Sequence, residues 1–147
     1  MKPGFEDKFM ELQAEYVAYC MEPVEDIEGL EMVYVYISNE KDSSMFHVFY
    51  KIDGQIKELH QVMKTQDYDI LFLSRGTHKI EKIRSLCKAY KADRPTQIKM
   101  YYDVKSQSFE AKYKYEPVWI PGTDVTDVSE YEDWIEEEKA KLAEGRE

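Results

Sequence analysis

The chain is poor in cysteine and histidine: two cysteines, Cys20 and Cys87, and three histidines, His47, His60 and His78, in 147 residues. The cysteines lie far apart without Cys-x-x-Cys spacing. This excludes a disulfide framework and predicts two reduced, partly buried thiols. No two histidines stand at i,i+4, and no local His/Cys pair has zinc-ligand spacing, so no metal is expected. There is no Gly-x-Ser-x-Gly elbow, phosphate-binding glycine loop, His-Glu-x-x-His or Gly-x-Gly-x-x-Gly, which leaves no catalytic signature and no expected cofactor. The carboxylates Asp124, Asp127, Glu130 and Asp133 recur every third residue, unlike a calcium loop, whose ligands alternate around a glycine. No apolar run reaches the ~18 residues of a membrane span. Met1–Phe9 has no apolar h-region and contains Glu6 and Asp7, so no secretory signal is expected. A cytoplasmic protein without membrane partners is the expectation.

Acid is abundant. The net charge is −10, unevenly spread. Residues 1–31 hold nine acids against two bases, residues 32–115 ten against fifteen, and residues 116–147 eleven against three. Two acidic flanks thus enclose a mildly basic middle. Such an excess disfavours nucleic acid, whose binding depends on neutralising phosphates. It favours a basic protein partner.

Periodicity predicts an α+β chain, read as a single domain over residues 1–147. Phe5, Phe9, Leu12, Tyr16 and Tyr19 form a helical stripe over about 3–21, with Pro3 in the first turn and Glu22-Pro23 ending it. The sheet and central helix occupy about 30–116. Leu30–Ser38 and Ser44–Ile52 read as strands, Asp53-Gly54 as a two-residue turn, and Gln55–Gln61 as the returning strand. Over Asp67–Asp93, Ile80, Ile83, Leu86, Cys87 and Tyr90 make a helical stripe. Thr77 is the expected N-cap and Gly76 the expected break, with Tyr68–Leu73 read as an earlier helical turn. Residues 97–104 and 109–116 alternate as a hairpin with one dry and one wet face. A last helix spans about 129–143, with Ser129 and Glu132 as its capping box. Its thin apolar face (Tyr131, Trp134, Ile135, Leu142) predicts light docking. The expected architecture is a largely antiparallel five-stranded sheet with N-terminal, central and C-terminal helices packed mainly on one face.

Most of the 12 tyrosines fall on strands, where core and cross-strand packing is the ordinary role. Alternation puts Tyr101 on the wetter face with Lys99, Lys112 and Lys114. That pattern would suit single-stranded RNA, but the overall charge opposes it. The strongest constellation is C-terminal: Trp119, Tyr131 and Trp134 amid Asp124, Asp127, Glu130, Glu132, Asp133, Glu136, Glu137 and Glu138. Aromatic anchors within an acidic field are the means by which a protein surface seizes a basic partner.

The segments EMVYVYIS, MFHVFYKIDGQI, LCKAYKADRPTQIKMYYDVKSQSFEAKYKYEPVW and EYEDWIEEEKAKL together resemble the YezG-like immunity (antitoxin) family. The resemblance runs from about Glu31 to Trp134. It is strongest at Pro95-Thr96 and at the strand carrying Tyr113-Lys114-Tyr115, and it lapses over Gln61–Gly76. It implies a small cytoplasmic acidic protein, without catalytic residues, that binds and neutralises the nuclease domain of a secreted polymorphic toxin, one to one. The expected partner-binding residues are Trp119, Asp124, Asp127, Glu130, Tyr131, Asp133, Trp134, Glu136, Glu137 and Glu138. Two alternatives stand beside this reading: a general acidic adaptor domain, and a small-ligand or enzymatic domain using His47 and His60.

Overall fold

The structure, a computed structural model, describes residues 4–40, 43–63 and 66–145, without the side chains of 66–69. The reading of Pro3 lies outside these residues. Helix α1 (Phe5–Met21) leads through a 3-10 turn (Glu22–Val24) into β1 (Leu30–Asn39), β2 (Ser44–Ile52) and β3 (Gln55–Glu58). Helices α2 (Leu59–Val62), α3 (Gln66–His78) and α4 (Ile80–Tyr90) precede β4 (Gln97–Asp103) and β5 (Phe109–Lys114), and α5 (Asp127–Ala143) ends the order. The five strands form one antiparallel sheet in the order β3-β2-β1-β4-β5. Asp53 and Gly54 both take positive φ (50° and 77°), the conformation a type I′ turn demands.

Alternation along β1 decides the layering. Val33, Val35 and Ile37 face one way, joined by Phe46, Val48, Tyr50, Ile98 and Met100. Against them pack Phe5, Phe9, Tyr16, Val17 and Cys20 of α1, Phe72 of α3, and Ile80, Ile83 and Cys87 of α4. Tyr34 and Tyr36 face the other way and meet Phe49, Ile56 and the α5 residues Tyr131, Trp134 and Ile135. Both cysteines are free and buried, and burial pushes the Cys20 thiol well above its ordinary range. Among the described residues, no helix is long and apolar enough to cross a membrane.

Several expectations need correction. The last helix does not share one face with the N-terminal and central helices, and it does not dock lightly. It covers the second sheet face by itself, and its narrow stripe suffices because Trp134 and Tyr131 are large enough to bridge to the strands. Its N-cap is Thr126 rather than Ser129: Thr126 Oγ1 accepts from Ser129 N–H, and Ser129 Oγ from Thr126 N–H. β3 stops at Glu58, because the Glu58 side chain and Gln61 make a capping box that starts α2. Gly76 does not break α3, which continues to His78, and Thr77 is no N-cap; its hydroxyl donates to Leu73 O within the helix. The break falls at Lys79 instead.

Gly76 is needed for close approach. A Cβ at this position would run into the Phe46 ring, which is itself hemmed in by Tyr16, Tyr19 and Phe72. Tyr16 also donates its hydroxyl to Gly76 O at 2.7 Å. Gly76→Ala should therefore destabilise the protein by about 1–3 kcal/mol through overpacking, against a helix-propensity gain of about 1 kcal/mol. A lowered urea midpoint at unchanged m-value would register this. Adding Phe46→Leu should recover part of the loss, and strict additivity of the two substitutions would refute the clash.

The layering also shapes alkaline behaviour. Burial raises the phenols of Tyr16, Tyr34, Tyr36 and Tyr50 well above their ordinary range. Burial, with the Glu138 carboxylate nearby, pushes Tyr101 up to about 12. A raised tyrosine favours the folded state below the unfolded pKa of about 10, and that contribution disappears as pH climbs toward the folded value. Stability should fall from about pH 10 upward, with much of the phenolate absorbance appearing together with loss of near-UV circular dichroism. Smooth, independent phenol titration in a protein that stays folded would contradict this.

Candidate protein-binding surface

The predicted partner-binding residues separate into two groups. Tyr131 and Trp134 are 4% and 1% exposed. Trp134 meets Tyr34, Phe49 and Tyr101 edge-on at 5.9, 4.9 and 5.3 Å. Tyr131 stacks on His47 at 4.5 Å and donates to Val48 O at 3.2 Å. These rings are the second core, not surface anchors. Three of the carboxylates are committed internally as well. Asp127 accepts from Ser38 Oγ at 3.0 Å, Glu130 pairs with Lys114 at 3.2 Å, and the buried Glu138 pairs with Lys141 at 2.8 Å. They fasten α5 to the sheet or to itself.

The other residues face outward. Asp124, Glu132, Asp133, Glu136 and Glu137 are exposed. Glu136 alone of these has an ion-pair partner among the described residues, Lys139 at 3.7 Å. Glu132, Asp133, Glu136 and Glu137 recur at i, i+1, i+4 and i+5, so they share the side of α5 turned away from the sheet. A solvated face of this kind follows directly from the helical period once Tyr131, Trp134, Ile135 and Glu138 are buried.

Trp119 is 53% exposed, and its backbone is tied in place. Glu40, at the end of β1, accepts from the Val118 and Trp119 N–H groups, the latter at 3.1 Å. Val118 is buried beside it. The loop then folds back, with Ile120 N–H donating to Val125 O at 3.1 Å and Thr123 N–H to Ile120 O at 3.2 Å. Arg84 holds the same corner through Asn39 Oδ1 at 2.6 Å and Glu40 O at 3.2 Å. Ile120 and Val128 are about half exposed too. Three exposed apolar side chains thus lie in the loop before α5 and in its first turn, where Val128 shares a helix side with Glu132 four residues on. Ile120, Val128 and the Glu40 clamp escaped the sequence reading. Ile120 belongs to a short apolar run, Val118-Trp119-Ile120, and Val128 to no periodic stripe, so neither pattern shows which side chain is exposed, and Glu40 acts on backbone far along the chain.

The two acidic flanks are not brought together. α1 lies on the opposite sheet face from α5. There Glu15 lies 3.9 Å from Lys82 of α4, and Lys8 sits over the Tyr90 ring at 5.5 Å. Lys82 of α4 thus stands by one acid of α1, while the seven acids of α5 meet Lys114 of β5 at Glu130 and the helix's own Lys139 and Lys141 at Glu136 and Glu138.

Two further candidates disperse. His47 lies on β2 against Tyr131, while His60 is exposed on α2. Neither lines the principal clefts, of about 590, 940 and 370 Å³, at the α1–β5 corner, beneath the C-terminal end of α5, and between α1 and the β4–β5 hairpin. The described residues contain no group of three or more His, Cys, Asp or Glu placed to hold a metal ion. Tyr101 is half-buried against Trp134 rather than lying on an open aromatic face, and Lys99 and Lys112 cover the Trp134 and Tyr101 rings at 5.5 and 5.1 Å.

This division predicts opposite outcomes for the two tryptophans. Trp134→Ala should cost about 3–5 kcal/mol, and Trp119→Ala should stay within about 0.5 kcal/mol of the parent. Chemical denaturation of both variants checks this, and comparable losses would overturn the assignment of Trp134 to the core and Trp119 to the surface. The chain matches no family model and no curated protein sequence.

Proposed function

We propose that this protein is a cytoplasmic immunity protein that binds and neutralises a basic toxin domain, a nuclease by the resemblance of its sequence. The observation that carries the reading is the Glu40-clamped projection of Trp119, with Ile120 and Val128, beside the solvated carboxylates of α5. Interface energy concentrates in a few apolar anchors, and a pre-ordered anchor loses less entropy on binding. The carboxylates supply the second requirement. A nuclease gathers positive charge to hold phosphates, and an acidic face is drawn toward it from a distance. The anchors of this reading are Trp119, Ile120 and Val128, with Asp124, Glu132, Asp133, Glu136 and Glu137 providing the field; Tyr131 and Trp134 hold the helix beneath them.

The test is co-expression and co-purification with a toxin-like protein encoded beside this chain, followed by kinetics. Reversing Glu132, Asp133, Glu136 and Glu137 to lysine should slow association tenfold or more at low salt, with little change once salt screens the field. Trp119→Ala should chiefly accelerate dissociation. Stopped-flow association at two ionic strengths separates the two effects. Association kinetics indifferent to the four reversals would remove the acidic side of α5 from the interface, and failure to bind any neighbouring toxin would sink the immunity reading itself.

A further inference from the structure

The sheet ends in two unlike edges. β3 is four residues long and runs straight into α2, a short edge of the kind that resists pairing. β5 is longer, the least buried of the strands, and among the described residues no strand lies beyond it. Its ladder to β4 shows which backbone groups remain unpaired by the sheet. Asp103 N–H donates to Ser108 O, and the register then places Tyr101 opposite Glu110, Lys99 opposite Lys112 and Gln97 opposite Lys114. Antiparallel hydrogen bonding alternates. Glu110, Lys112 and Lys114 therefore turn their backbone groups toward β4, and Phe109, Ala111 and Tyr113 turn theirs outward.

We propose that a second copy of this chain pairs with that edge, β5 against β5 about a two-fold axis at Ala111, joining the two sheets into one. An antiparallel pairing that bonds the outward groups must set Phe109, Ala111 and Tyr113 opposite one another. Centred on Ala111, Phe109 faces Tyr113 of the other copy and Ala111 faces Ala111. On the α5 side of the sheet, Glu110 faces Lys112 in both directions. Shifting by one step toward Lys114 would set Lys112 against Lys112, and shifting the other way would set Glu110 against Glu110. Like charges directly opposite are destabilising, so of these three registers only the one centred on Ala111 is free of them. The symmetry is isologous, as a closed dimer requires.

Two observations point to the same occupant. Lys99 and Lys112 stand directly opposite within the chain, a like-charge pair that Glu110 of a second copy would flank from the open side. Tyr113 is 39% exposed at the edge and would be covered by the incoming Phe109. Nearby, Met10, Ala14 and Ala18 of α1 line the apolar groove of about 370 Å³ with Tyr102 and Phe109, on the sheet face where the second α1 would approach. A single strand pair buries less than the roughly 1,200 Å² of a stable interface, so the dimer is weak and concentration-dependent. The outward face of α5 remains uncovered, and the proposal does not depend on toxin binding.

Sedimentation equilibrium over a concentration series tests this. The parent should move from the 17.5 kDa monomer to twice that mass as concentration rises. Ala111→Pro removes an outward N–H that the monomer does not use, a substitution edge strands tolerate, and should leave only monomer with unchanged far-UV circular dichroism. Glu110→Lys turns two attractive pairs repulsive and should weaken the dimer about tenfold. Combining it with Lys112→Glu restores opposite charges and should recover the parent constant. A monomer throughout the series overturns the proposal, including the case where the edge serves a foreign peptide instead. So does a dimer unaffected by Ala111→Pro. Should Ala111→Pro fail to fold, the charge exchange alone decides: recovery in the double variant supports the pairing, and no recovery overturns it.

Discussion

β1 is buried on both sides of the sheet from Val33 to Asn39, and an antiparallel strand can hold large apolar residues on both faces only if each face is covered. Helices α1 to α4 cover one side. The other depends on Trp134, whose indole reaches Tyr34, Phe49 and Tyr101 at once. Without that ring, Tyr34, Tyr36 and Phe49 would form an exposed aromatic strip, and α5 would have little to hold it. The two ion pairs that α5 makes through Glu130 and Glu138 add modestly, as partly exposed pairs do. Burial of Trp134 is thus the constraint from which the orientation of α5 follows, and with it the direction in which its carboxylates point.

The same packing reorganises the charge. Along the chain, two acidic flanks frame a mildly basic centre. In the fold, Glu15 of the first flank lies beside Lys82 of α4, and the second flank stands on the far side of the sheet, where Lys114 takes up Glu130 and leaves the outward acids of α5 to solvent. Net charge is a property of composition, whereas a field that steers a partner is a property of placement. The lysines of β4 and β5 show the same distinction. Lys99 and Lys112 lie over the rings of Trp134 and Tyr101, where an isolated reading of the strand would place a nucleic-acid platform.

The loop before α5 joins these themes. Glu40 reaches across to the backbone of Val118 and Trp119, so the end of the central strand holds an exposed indole in place. The proposed binding surface is therefore rigid at its base and charged along its flank. The open edge at β5 is a separate surface, set by strand order and not by α5. A self-paired sheet would carry two acidic helices on one face, each still free to take its own partner.

Most of the elements were legible because their apolar periods are clean: the stripe in residues 5–19, alternation in 44–52 and 97–104, and Asp53-Gly54 with its positive-φ demand. Element ends were less legible, since Thr126 and Ser129 are both competent caps and only the docked helix chooses between them. Gly76 read as a break because a glycine's reason for being in a helix, here the Phe46 ring, lies elsewhere in the chain. Composition and period thus determined an acidic α+β chain with an antiparallel sheet and an amphipathic last helix. Which aromatic residues are core and which are exposed, which acids are bound and which are solvated, and which strand is left as an edge were decided by tertiary packing. These depend on residues distant in sequence, and a local pattern contains no information about what it will meet.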